Sequence, residues 1–171
     1  MQLQPEQALV VLEMTLPTLE REQQTSVKVM NAVPADKADY KPDLNSMSAF
    51  ELSWHIAASE DRFLSGIAAG AFDYTVKERV KTMPEVLAWY HDTFAKNLAA
   101  IKGMSGEQLA KVIDFRGMFQ MPAISYLTFS SNHSIHHRGQ LSVYLRPMGA
   151  KVPAIYGESF DSKAARMAAQ G

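Results

Sequence analysis

Four stretches of this chain place apolar residues three and four positions apart. That helical period, more than any other feature, restricts what the chain can fold into. The first stretch runs from Pro5 to Asn31, with Leu9, Leu12, Leu16, Leu19, Gln23, Val27 and Met30 on one face. Pro17 interrupts it, so a kink or break is expected there. The second starts at Ser48, which can cap a helix with Glu51 three residues on, and reaches about Gly66 with Leu52, Ile56, Phe63 and Ile67 on its stripe. The third opens on Thr82-Met83-Pro84-Glu85, another capping sequence, carries Leu87, Tyr90, Phe94, Leu98 and Ile101, and ends at Gly103. The fourth begins near Pro122 and runs to about Arg146, where Pro147 and Gly149 stop it. Amphipathic helices of about five to seven turns bury their stripes against one another as a bundle.

The connecting segments add detail. Asn31 to Asn45 and Gly70 to Lys81 read as loops, and Ser105 to Ala110 as one further helical turn. Lys111 to Gln120 is loop or short strand, because Val112, Ile113, Phe115 and Phe119 favour extended backbone around Gly117. Ser159 to Ala169 could form a short terminal helix. The expected fold is all-α: a four-helix bundle with a short C-terminal helix, one domain over residues 1–171 with its core at about 5–156. The spatial order of the helices is left open. A chain of 171 residues can bury roughly 70% of its unfolded surface, enough for a core without staples. With 17 Lys+Arg against 18 Asp+Glu, it lacks the basic excess of a dedicated nucleic-acid binder. No run approaches the roughly 20 apolar residues of a membrane span. No basic segment precedes an apolar one near Met1 either, so a cytoplasmic protein with no nucleic-acid and no membrane partner is expected.

There is no cysteine, so any metal must be held by nitrogen and oxygen. The histidines are His55, His91, His133, His136 and His137. His133 and His137, four apart, lie one above the other on the fourth helix. They share a face with Tyr126, Ser130, Gln140, Leu141 and Tyr144, while Ser142 and Arg138 fall on the opposite side, Arg138 solvated or ion-paired. Two imidazoles at this spacing can reach one ion, as in the HExxH helix of metalloproteases, but no Glu follows His133, so that protease reading fails. His136 points some 100° away, as a rim residue or a partner behind the ligands. His55 sits at the edge of the second helix's stripe. If the second and fourth helices are neighbours, His55, His133 and His137 converge on one point, leaving a fourth position open as in catalytic sites. A single inward histidine is more often a hydrogen-bonded core residue, and His91 reads as a satisfied interfacial one. Glu60, Asp61 and His136 are the candidates for a general base, yet phasing puts Glu60 and Asp61 off the histidine face. No catalytic residue is assigned.

The segment from His133 through His137-Arg138-Gly139-Gln140-Leu141, with Tyr144-Leu145-Arg146-Pro147-Met148-Gly149 and Val152-Pro153 after it, resembles the last-helix signature of the DinB-like (damage-inducible) family. Phe50-Glu51-Leu52-Ser53-Trp54-His55-Ile56, followed by Glu60, is similar to that family's second-helix marker. The resemblance implies a four-helix bundle with a divalent metal ion, nickel or zinc, on a histidine triad. The family's first ligand falls on His55 and its HxxxH pair on His133 and His137. Related bundles include transferases and isomerases that use small thiols, and many are homodimers. The expected function is therefore a metal-dependent enzyme with a low-molecular-weight thiol cofactor and a small-molecule substrate, of the thiol S-transferase or isomerase type. The alternatives are a non-catalytic metal-binding homodimer of the stress response and a metal-dependent hydrolase. Since the chain has no cysteine, any reacting sulfur must arrive with the cofactor.

Overall fold

A computed structural model describes residues 3–170, so residues 1, 2 and 171 of the expected domain lie outside the described part. The elements follow in the order α1 (Pro5–Asn31), α2 (Ala49–Ala69), α3 (Met83–Lys102), α4 (Gly106–Ala110), β1 (Val112–Phe115), β2 (Phe119–Pro122), α5 (Ser125–Leu145) and α6 (Phe160–Ala168). The four long helices α1, α2, α3 and α5 form the bundle. α2 packs against both α3 and α5, and α1 closes the ring by packing against α5 and, less extensively, α3. This settles the order that periodicity left open: the helix that carries His55 and the helix that carries His133 and His137 are neighbours.

Local chemistry sets the boundaries. Ser48 and Glu51 form a reciprocal capping box at the start of α2, as do Thr82 and Glu85 at α3. α2 runs one turn beyond the expected Gly66 and ends at Gly70, whose φ of 68° supplies the left-handed C-cap. β1 and β2 are an antiparallel hairpin with Val112 opposite Pro122 and Phe115 opposite Phe119. Tyr126 on α5 donates from its hydroxyl to the carbonyls of Ile113 (3.1 Å) and Phe119 (3.0 Å), clamping the hairpin to the bundle. None of the helices described is long and apolar enough to cross a membrane.

Pro17 does not break α1, which continues to Asn31. The carbonyl that loses its donor belongs to Glu13, which with Pro17 is exposed, so water can satisfy it, while buried Leu12 and Leu19 hold both halves to the bundle. The inward face of α1 keeps Leu12, Leu19, Gln23 and Met30 of the expected stripe but not Leu9. Ala8 is buried and Leu9 is 45% exposed, and the inward positions further along are Glu22, Gln23, Thr25 and Ser26.

These polar residues belong to a layer that divides the core. One apolar cluster, near the hairpin, is built on Leu12, Leu19, Phe63, Leu64, Phe94 and Leu127. The other, at the opposite end, is built on Met30, Leu52, Ile56, Val86, Tyr90 and Leu141. Between them along α1, α2 and α5 lie buried Glu22, Ser26, Glu60, Ser130, Ser134 and Arg138. Arg138 is therefore not on a solvent face. It is 2% exposed, its Nη1 stands 2.7 Å from Glu22 Oε2, and its Nη2 donates to the Tyr156 hydroxyl at 2.6 Å. Tyr156 in turn donates to Glu22 Oε2 at 2.8 Å. A buried guanidinium is tolerated because carboxylate, carbonyl and phenol oxygens all meet it.

Candidate metal centre

The capping box of α2 fixes its first turn one turn ahead of His55. The Ser48 backbone N–H donates to Glu51 Oε2 at 2.9 Å, and Lys41 Nζ lies 3.2 Å from the same oxygen. Those two contacts, the backbone donor first, hold the Glu51 carboxyl down at about 2. Across from this turn, α5 presents His133 and His137. All three histidines are half-buried, at the border where the polar layer meets solvent.

The three ring nitrogens converge. His55 Nε2 lies 3.2 Å from His133 Nε2 and 3.2 Å from His137 Nε2. His137 Nδ1 is 2.8 Å from Gln140 Oε1. An amide oxygen only accepts, so the proton of His137 resides on Nδ1 and its Nε2 offers a lone pair. Gln140 Nε2 reaches His136 Nε2 at 3.3 Å, so exposed His136 steadies the residue that orients His137. His133 Nδ1 is buried with no protein partner.

Hydrogen bonding alone does not satisfy this cluster. His55 Nε2 carries at most one proton and can donate to one neighbour, which leaves another lone pair facing nitrogen. A cation removes the conflict. Nitrogens about 2.05 Å from a tetrahedral ion stand about 3.3 Å apart, close to the separations found. His55, His133 and His137 thus form a group whose donor atoms all lie within 4.8 Å of one another and could hold one metal ion. Burial, then the positive charge His137 would carry, then Arg62, lowers the His55 pKa. Burial followed by His137, His55 and His136 brings His133 down to about 4. Both rings are therefore neutral near pH 7 and have no proton to lose on binding a cation.

The other candidates fall elsewhere. Glu60 is buried in the polar layer and accepts from the Tyr90 hydroxyl of α3. Asp61 accepts from Asn97 Nδ2 at 2.9 Å and pairs with Lys77 at 3.5 Å. Both carboxylates face α3, off the histidine face as phasing predicts. His91 is not interfacial: its side chain is 78% exposed and lies beside Asp92. The site has further walls that periodicity did not single out. A cavity of about 230 Å3 adjoins His55 and His133 and is lined by Ser59, Arg62, Phe63, Phe115, Arg116 and Phe129. Arg62, seven residues after His55, could have been found by helical phasing. Arg116 could not, because only the hairpin's docking brings it here.

Residues 11–168 match the family model described as DinB family. The chain belongs to the DinB family. Among relatives of this DinB-family chain, the uncharacterized protein YjoA of Bacillus subtilis (strain 168) is 31% identical over 119 residues, which is 68% of this chain and 77% of the relative. The uncharacterized protein YrdA of the same organism is 28% identical over 151 residues, 85% of this chain and 88% of that one. The crystal structure of YjoA, a DinB-like protein, superposes with a TM-score of 0.71 at 26% identity, covering 85% of this chain and 99% of that chain. A DinB-like protein from Bacillus cereus ATCC 10987 shares the fold, with a TM-score of 0.74 at 23% identity over 85% of this chain and 97% of that one.

Proposed function

We propose that this DinB-family protein binds one divalent ion, nickel or zinc, through His55, His133 and His137, and uses it to activate the sulfur of a small thiol for transfer to an electrophile. The observation that carries the reading is the convergence of three Nε2 atoms, two of the separations being 3.2 Å, beside a cavity. When bound, a divalent ion lowers the pKa of a coordinating thiol and so favours thiolate at neutral pH.

The chain's own residues supply the rest. His55 and His133 are held neutral by their surroundings, and Gln140 fixes the His137 tautomer so that Nε2 points at the common centre. Phe63, Phe115 and Phe129 form a dry wall along one side of the cavity. In the transfer the thiol proton goes to solvent, the sulfur forms a bond to an electrophilic carbon, and the leaving group departs with its electron pair. No buried carboxylate is needed at the centre, in keeping with Glu60 and Asp61 being engaged by Tyr90 and Asn97.

Elemental analysis of untagged protein tests the metal, with an expected content of about one divalent ion per chain. His133→Ala and His137→Ala should each lose it; unchanged content in both variants overturns the ligand assignment. In cobalt-substituted protein, small thiols should alter the visible spectrum. A spectrum indifferent to them, with cobalt bound, would favour the non-catalytic metal-binding reading.

A further inference from the structure

Four cationic side chains approach the face of α2 that carries His55: Arg62, Lys77, Arg79 and Arg116. Two are already neutralised, Lys77 by Asp61 (3.5 Å) and Arg79 by Glu51 (3.5 Å). Arg62 and Arg116 have no carboxylate within ion-pair distance among the described residues. These two line the 230 Å3 cavity beside His55 and His133, and no acidic residue lines it.

The two guanidinium groups are placed differently: Arg62 is half-buried, and Arg116 is exposed and lies against the Tyr74 ring. Arg62 Nε is buried with no hydrogen-bond partner. A buried guanidinium N–H without a protein partner takes its acceptor from outside the chain, a water or a ligand. The acidic group that acts on Arg62 is Asp73, from beyond ion-pair distance, and its Oδ1 is taken up by the Thr75 N–H (2.9 Å) and hydroxyl (2.7 Å). Arg116 sits at the hairpin turn with φ of 55°, a left-handed conformation unfavourable to a non-glycine residue. It is kept there by its backbone N–H, which donates to the Tyr74 hydroxyl at 2.9 Å, while its guanidinium lies 4.8 Å from the centre of the Tyr74 ring.

We infer that this cavity is an anion-recognition subsite of the metal centre: the molecule bound there carries a carboxylate that docks between Arg62 and Arg116, with its carbon skeleton on Phe63, Phe115 and Phe129. The inference rests on the metal-and-thiol reading above and narrows its substrate class to small carboxylate-bearing thiols or electrophiles. A planar guanidinium pair suits a carboxylate, which accepts two parallel hydrogen bonds. The cavity's small volume excludes a large polyanion. The carboxylate's negative charge would also offset the positive charge that three neutral imidazoles leave on a bound ion.

The test uses the full chain loaded with cobalt. 3-Mercaptopropionate and the neutral 3-mercaptopropan-1-ol, alike in length and thiol, are titrated while the visible spectrum is followed. The carboxylate is expected to bind about tenfold more tightly, the low end for charge-assisted hydrogen bonds at a part-exposed site. Arg62→Gln and Arg116→Gln should each reduce that preference and together abolish it, leaving cobalt content and the affinity for the neutral thiol unchanged. Equal affinities in the unsubstituted protein, or a preference that survives in the double variant and so belongs to the ion alone, overturns the inference. If cobalt binds but neither thiol registers, the thiol reading fails, and succinate titrated calorimetrically into metal-free protein decides the subsite. Binding lost in the double variant upholds the subsite; no binding, or equal binding in both proteins, overturns it.

Discussion

Replacing Glu60 with Gln should remove a loss of stability with rising pH that the buried polar layer imposes. Glu60 is 1% exposed and surrounded by Tyr90, Arg138 and Glu22. Burial is the main cause that raises its pKa from 4.5 to about 7; the Tyr90 hydroxyl and Arg138 pull it down, and Glu22 pushes it up. The folded protein thus holds this proton more tightly than the unfolded chain. The stabilisation that results is full below pH 4.5 and is lost as pH rises through about 7. The distance between the two values is worth about 3 kcal/mol. The glutamine of the Glu60→Gln variant has no proton to lose, and its amide oxygen can still accept from Tyr90. Relative to the variant, the unsubstituted protein should therefore lose about 3 kcal/mol between pH 4.5 and about pH 8, which for a chain of this length is about 10 °C in Tm. Urea midpoints in chelator-treated protein at several pH values measure it. His55 and His133, whose lowered pKa values make stability fall as pH drops, contribute equally to both proteins and cancel in the difference. Parallel pH profiles for the two proteins would refute the reasoning and show that Glu60 titrates alike folded and unfolded.

Two further outcomes follow from the same geometry. Gln140→Ala should weaken metal binding roughly 10–100-fold in a competitive chelator titration, because His137 loses the acceptor that fixes its tautomer; an unchanged affinity would show that the Gln140 contact is incidental. Arg138→Ala should cost about 3–5 kcal/mol in urea denaturation, because Glu22 is left buried and unpaired. The double variant with Glu22→Gln should then cost less than the two single changes added together, and simple additivity would show that the pair is not coupled.

The helices, their caps and the histidine spacing are legible in the sequence because each is a short-range property. Ser48 and Glu51, or His133 and His137, are related by one turn of one helix, and nothing elsewhere in the chain alters that relation. The adjacency of α2 and α5 is a long-range property, and periodicity alone could offer it only as a condition. The same distinction explains the residues that mislead. Leu9 looks inward by its place on the stripe, yet it is 45% exposed, while polar Glu22 and Ser26 face the interior. Arg138 reads as solvated or ion-paired, and the ion pair is found, but its burial could not be read because the partner lies 116 residues away. Pro17 reads as a helix breaker unless it is known that Glu13, whose hydrogen bond it removes, faces water.

The burial of Arg138 bears on why the candidate metal site has the form it does. With Ser134, Arg138, Leu141 and Leu145 at the centre of the buried face of α5, His133 and His137 are rotated by one residue, about 100°, toward the edge. Had the histidines occupied the centre, a bound ion would be enclosed by the bundle, with no free side for a substrate. At the edge, two helices still hold the three rings in register, while the remaining side opens on a cavity lined by Arg62 of α2 and, through the docked hairpin, by Arg116. The buried ion pair of Glu22 and Arg138 thereby helps set the orientation of the helix that carries two of the three histidines. Its removal should disturb the metal affinity as well as the stability, even though neither residue is among the three whose nitrogens meet.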